Sequence, residues 1–347
     1  MSSPQKLPLG AALIVGLLSL GGNAPMLASA TDPLLSFFGP NVLLSDEQRM
    51  GLDRGEAIAK VLPADHHELA IFAAGLTSAT VDELVSSVEN VARLKESGYV
   101  PEIGRFSTPP KLSDLESLTL DRDDGDAIRE CRPGRCDLKL SAAEITRLQG
   151  VIATSGNDWR RPLQDQFRRM ILDRVRRYLR EGDRSDRVFS VLLAHSPSVT
   201  AHAPQLGEYL EHYPEKRPAD TEAFLYWSKE TYARHPIISV THVAIRRGSV
   251  HRDEAAADVL VVSRDVFSTR YVSGALAMTV LLGATRSSSP RYLAYVNHTW
   301  VDDVYWLWRP IVEHRVKTEA AKAFAKARER IEQTQATYAT EAPRGAR

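Results

Sequence analysis

Between positions 237 and 298 the chain carries four stretches rich in β-branched and aromatic residues, and any fold for this sequence has to pair them. They are 237–246 (Ile-Ile-Ser-Val-Thr-His-Val-Ala-Ile-Arg), 257–264, 266–282 and 291–298. Such residues suit a pleated, half-buried surface. Gly248, Gly283 and Ser287-Ser-Ser-Pro290 separate them, and strands joined by short turns pair antiparallel. A helical pattern follows over 303–335, with Val312, Val316, Ala320, Phe324, Ala327 and Ile331 on one side. The expected class is α+β: an antiparallel β-sheet covered by a long C-terminal helix, each burying the apolar face of the other.

Two further strands are expected at 55–62 and 67–77, turning at Pro63-Ala-Asp65. Thr80, with Glu83 three residues on, is a capping box that opens a helix ending near Gly98 and Pro101. The stretch 99–120 reads as extended, with a helical turn near Asp114, and 136–140 alternates as a strand. Ser141-Ala-Ala-Glu144 repeats the capping box and begins a helical middle segment, 141–213. Within it Leu163, Phe167, Met170, Ile171, Val175, Tyr178 and Leu179 form one stripe, and Gly182 supplies the stop. Phe224 and Trp227, spaced i and i+3, read as core residues of a short helix; the competing reading is that 224–230 lines a ligand site.

Residues 1–30 are unlike the rest. Lys6 is followed by the apolar run 9–20, then helix breakers, then Ala28-Ser29-Ala30. That is the pattern of a cleavable signal peptide. The run stops short of the roughly 20 apolar residues that span a bilayer. The expected organisation is therefore a signal peptide (1–30), an N-terminal linker (31–54), one domain (55–335) and a disordered tail (336–347). The mature protein is expected in the periplasm or secreted, and not integral to a membrane.

Cys131 and Cys136, the two cysteines, flank Arg-Pro-Gly-Arg. Pro then Gly suits the centre of a type II turn, which brings the flanking residues opposite each other. In an exported protein such a pair forms a structural disulfide. A zinc site would need more ligands nearby, and no pattern here implies a cofactor.

The 44 basic and 44 acidic residues give no argument for a nucleic-acid partner. Ten arginines crowd 160–187, with five acids among them. A solvated face laced by ion pairs is one reading; contact with anionic envelope components is the other. His-Glu-x-x-His, Gly-x-Ser-x-Gly and Gly-rich phosphate loops do not occur. Alternation places His242 on one strand face with Ile238, Val240 and Ala244, and sends Asn297 and His298 to opposite faces. His242 is either a satisfied core histidine or, if it faces the same interior as His298, part of a shared site.

Cys131-Arg-Pro-Gly-Arg-Cys-Asp-Leu-Lys-Leu140, Tyr226-Trp-Ser-Lys-Glu230 and Ser239-Val-Thr-His-Val243 together resemble an exported bacterial family of unknown function, over about Gly55 to Ile331. The order of strands, meander and closing helix also resembles the START-like helix-grip fold, although the helical middle is larger than that fold needs. This second resemblance implies a cavity between sheet and closing helix for a lipid or other apolar molecule. No catalytic residue carries over from either. The leading expectation is an extracytoplasmic binding protein, with Trp227, His242, Tyr271, Asn297 and His298 as polar groups of the cavity. The alternative is an envelope hydrolase or transferase using His242 with Lys229 or Glu230. A scaffold without a ligand is the third.

Overall fold

A computed structural model describes residues 32–183, 187–215, 217–231, 235–248, 257–283, 291–302 and 305–334, with side chains from 319 onward in the last stretch. Among these residues the strands form one eight-stranded antiparallel sheet. They are β1 (Ile58–Leu62), β2 (Glu68–Thr77), β3 (Glu102–Arg105), β4 (Thr221–Glu230), β5 (Ile237–Arg247), β6 (Ala257–Ser268), β7 (Val272–Leu282) and β8 (Arg291–Val301). The order across the sheet is β1-β2-β8-β7-β6-β5-β4-β3, so the second strand pairs with the last. Late in the chain, neighbours in sequence are neighbours in space, as the short turns require.

Eleven helices are described: α1 (Pro33–Phe38), α2 (Asp46–Asp53), α3 (Val81–Glu89), α4 (Val91–Leu94), α5 (Arg122–Glu130), α6 (Ala142–Thr154), α7 (Arg160–Glu181), α8 (Arg187–Ala194), α9 (Pro197–His202), α10 (Pro204–Glu211) and α11 (Tyr305–Glu332). Both capping boxes form. Thr80 and Glu83 close the start of α3 reciprocally, and Ser141 and Glu144 do the same for α6.

Alternation gives the sheet two unlike faces. On the first, Phe72, Leu260, Val262, Met278 and Val296 meet Phe37, Phe38, Phe189, Leu192 and Leu206 of α1, α8 and α10. Further along, Leu225, Trp227, Ile238 and Val240 meet Phe167, Met170, Ile171 and Tyr178 of α7. The helical middle segment is thus the cover of this face. On the second face, Val243, Ile245, Val259 and Leu293 share a smaller core with Leu84 and Val85 of α3 and with Phe324 and Ile331 of α11.

Several expectations need correction. The linker of 31–54 instead holds α1 and α2, and Leu34, Phe37, Phe38, Val42 and Leu52 are buried in the core. The short helix expected at Phe224 and Trp227 is strand β4, with the two aromatics on opposite faces. Residues 266–282 are not one strand, because the chain turns at Thr269–Tyr271. Residues 136–140 form no strand; the Cys-flanked turn is closed by a single Arg132–Arg135 bridge. Gly134 there has φ 76°, the left-handed value that a type II turn demands of its third residue. The cysteine sulfurs lie at bonding distance, with Cα atoms 4.5 Å apart.

The expected long cover over the sheet is not seen as such. The part of α11 with described side chains, Glu319–Glu332, is short and lies over β1, β2, α3 and α4. It is pinned there: Thr77 Oγ1 and Ser78 N donate to Glu332 (2.7 and 3.1 Å), and Arg328 donates to Gly55 O and Leu76 O. Val312 and Val316, the start of its apolar stripe, lie outside the described side chains. The signal peptide and the 336–347 tail likewise lie outside the described residues. No described helix is long and apolar enough to cross a membrane.

Candidate functional site

The register places Leu225, His242, Arg264, Leu276, His298 and Ala70 in one row across the first face. His242 and His298 do share a face, but three strand spacings separate them, about 14 Å. They do not converge. His242 is buried, its Nδ1 lies 2.8 Å from Tyr178 Oη, and the rings of Tyr178, Tyr209 and Tyr213 enclose it edge-on. Burial, with the Arg264 guanidinium nearby, pushes its pKa down to about 3, so the imidazole is neutral. It is the satisfied core histidine of the two readings.

The other first-face groups are equally committed. Glu68 is buried and bridges His298 through one oxygen and His195 (2.7 Å) through the other. Burial alone would raise its pKa, but the hydrogen bonds to the two histidines outweigh this and hold it below the usual range. Trp227 is fully enclosed and donates Nε1–H to Asp114 O at 2.8 Å. Gly104 permits that packing, since a Cβ there would lie 2.6 Å from Nε1. Tyr271 sits in the β6–β7 turn at φ 57°, where its carbonyl accepts from Asp302 N. The candidates therefore do not line one cavity: Trp227, His242 and His298 are spread along the first face, Asn297 is on the second, and Tyr271 is at the sheet's end.

The alternative trio also falls apart. Lys229 pairs with Ile238, four residues along β5 from His242, or about 13 Å. Its ammonium donates to Asp121 (2.6 Å), Glu102, and the carbonyl and hydroxyl of Thr119. Burial would lower its pKa, but these acids raise it. Glu230 is on the second face. Within the Arg-rich segment, Arg168 and Arg176 bond loop carbonyls and Arg174 bonds Glu144 at 2.6–2.7 Å, while Arg161, Arg169 and Arg177 stay exposed.

The second face is different in kind. Along β7 the first-face residues Leu276, Met278 and Val280 are completely buried, whereas Ala275, Ala277 and Thr279 between them are only half-buried. β8 repeats this, with Ala294 and Val296 sealed but Tyr295, Asn297 and Thr299 half-buried. Ile71, Asn297, Ala277 and Ser263 form one row across this strip.

At its β4–β6 end the strip meets a polar cluster. Lys95, just past α4, donates to Glu230 at 2.6 Å and reaches Tyr226 Oη at 3.4 Å. Ser228 Oγ donates to the same Glu230 oxygen at 2.9 Å. Burial would raise the Glu230 pKa, and Lys95 more than offsets it. Asp265 accepts from Thr241 Oγ1 at 2.7 Å. Burial, reinforced by the Glu230 charge, pushes Asp265 up to about 6 against the pull of Thr241 and Lys95.

No family model, curated protein or solved structure matches the chain.

Sequence reasoning passed over Asp265, Lys95 and Thr241. One signal was present: Arg264-Asp265 is a charged pair inside an otherwise apolar β stretch, and alternation must turn one charge to each face. Arg264 lies on the first face, donating to Leu210 O and sitting 4.4 Å from the Phe189 ring centre. Asp265 is its counterpart on the second. An open cleft of about 460 Å³ also exists outside the helical layer, lined by Leu120, Asp121, Trp159, Arg160 and Gln164. Arg122, also in the lining, is exposed, and the other polar groups are engaged. Asp121 holds Lys229, Gln164 bonds the 118–120 backbone, and Arg160 stacks on Trp159.

Proposed function

We propose that this protein is an extracytoplasmic carrier that holds a lipid or other apolar small molecule against the second face of its sheet, beneath α11. The observation that carries the reading is the alternation in burial along β7 and β8. Toward the helical layer Leu276, Met278, Val280, Ala294 and Val296 are sealed; on the other face Ala275, Ala277, Thr279, Tyr295, Asn297 and Thr299 are half-buried, with Asp265, Thr241 and Glu230 beyond them toward β4–β6. Ligand sites are concave and mainly apolar, with a few placed polar groups.

Connectivity supports it as well. β2 is followed by the short helices α3 and α4, β2 pairs with the last strand, and a helix closes the chain. This order is similar to a START-like helix grip, with the α5–α10 segment inserted between β3 and β4. The polar groups of the site are then Asp265, Thr241, Tyr226 and Asn297, in place of the first-face histidines and Trp227. Residues 1–30 and the Cys131–Cys136 pair favour the periplasm or the exterior as the place of action. Exposed Arg161, Arg169 and Arg177 suit contact with anionic envelope components.

Native mass spectrometry of protein purified from the extracytoplasmic fraction tests the reading. A bound apolar molecule and an N-terminus near Thr31 are expected. Ligand-free protein that also fails to take up a lipophilic fluorescent probe would overturn it.

A further inference from the structure

Resting on the carrier reading, we infer that the molecule held against the second face has an uncharged or cationic head group that donates a hydrogen bond to Asp265, and that carboxylate-headed lipids are selected against.

Three features of the polar end carry this. First, Asp265 uses one carboxylate oxygen on Thr241, and among the described residues the other oxygen has no partner. It is an acceptor in need of a donor, and a desolvated carboxylate gains most from one. Second, the position is accessible. Asp265 lies one residue beyond the last β6–β7 pair, Arg264–Leu276, and it is only partly buried. Third, the surrounding charges do not favour an anion. Glu230 takes Lys95 and Ser228 on one oxygen, which leaves its other oxygen a further acceptor, and the Lys95–Glu230 pair is internally neutral. Asp265 then leaves the cluster with one net negative charge. Thr241 spends its proton on Asp265, so what remains of its hydroxyl is also an acceptor. A hydroxyl or ammonium head meets acceptors here. A carboxylate meets a like charge in a site of reduced dielectric.

The test displaces a lipophilic fluorescent probe from the full mature protein at pH 7.5, using dodecanol, dodecylamine and dodecanoate. The three share a chain and differ at the head. Dodecanol or dodecylamine should compete at least about tenfold more strongly than dodecanoate, equivalent to about 1.4 kcal/mol. Amine at or above alcohol assigns an ammonium head, and alcohol above amine assigns a hydroxyl. Asp265→Asn should bring alcohol and acid to within about twofold, mainly by improving dodecanoate, because like-charge repulsion is what the change removes. Thr241→Val, which leaves the carboxylate in place, should keep the preference for alcohol over acid. Dodecanoate competing as well as dodecanol on the wild-type protein overturns the head-group assignment and leaves the carrier reading standing. Failure of the probe and all three chains to bind overturns both.

Discussion

The two faces of the sheet are built from the same strands and the same kinds of residue, yet along β7 and β8 one is sealed while much of the other is only half-buried. Met278 and Ala277 are neighbours on β7. Met278 is sealed under the helical layer, and Ala277 remains half-buried. The first face also absorbs strongly polar groups, His242, Arg264, Glu68 and His298, but each is matched to a partner from a covering element or a neighbouring strand. On the second face Asp265 is held by one hydrogen bond, from Thr241, and Glu230 takes both of its bonds on one oxygen. Buried polarity matched by the fold's own elements marks architecture. Polarity left partly unsatisfied in a half-open strip marks a place for something else.

That contrast can be broken from either side. The largest effect is expected on the first face: Trp227→Ala removes a fully enclosed indole and its bond to Asp114, and should cost about 3–5 kcal/mol in urea unfolding. Probe binding by the folded fraction should be unchanged. A variant that folds normally but no longer binds would place the site on the wrong face.

Acid should also strike the first face. The folded pKa of His242 is depressed to about 3, so the folded state binds fewer protons than the unfolded chain. Stability then rises with pH between about 3 and 6.5 and is lost as pH falls through that window. Between pH 7 and pH 5 this one group accounts for about 2 kcal/mol. In His242→Phe the slope of the urea midpoint against pH should flatten over that range, and an unchanged slope would show the ring to be solvated.

Separate from both faces, Cys131→Ser with Cys136→Ser releases only a small loop, and should cost at most about 2 kcal/mol without touching binding.

The smallest effect, of opposite sign, is expected on the second face. The folded pKa of Asp265 is raised to about 6, so the folded state holds its proton more tightly than the unfolded chain. The ionised group weakens the fold above that pH, and the penalty is relieved as pH falls toward 4. Asp265→Asn should therefore stabilise the protein at pH 7.5 by on the order of 1 kcal/mol, with the gain fading below pH 6. A loss of stability in thermal unfolding at pH 7.5 would mean that Asp265 is a structural ion rather than a waiting acceptor.

Much of the frame was legible from the residues. Capping boxes at Thr80 and Ser141 are local chemistry and formed where the spacing put them. The late β stretches were legible because short turns leave antiparallel pairing as the simplest outcome. Strand β4 misled because both of its faces are buried. Phe224 serves the second-face core and Trp227 the first, so apolar residues fall on both parities and i, i+3 spacing imitates a helix. Helices α1 and α2 were hidden by breakers such as Gly39-Pro40 and by their brevity, although Ser45 and Gln48 form a capping box. The site was legible only as parity. Alternation separated Asn297 from His298 correctly, but which parity faces solid packing depends on where α5–α10 fold back, and that is a tertiary fact no strand pattern carries.

The most direct test fills the second face and trims the first at adjacent positions on one strand. Ala277→Trp should weaken lipophilic-probe binding by at least about tenfold while the urea midpoint stays near wild type, because a half-buried position has room for the ring. Met278→Ala should cost about 2–5 kcal/mol and leave the probe affinity of the folded protein unchanged. If folded Ala277→Trp binds the probe as wild type does, the second face is not where a guest molecule sits.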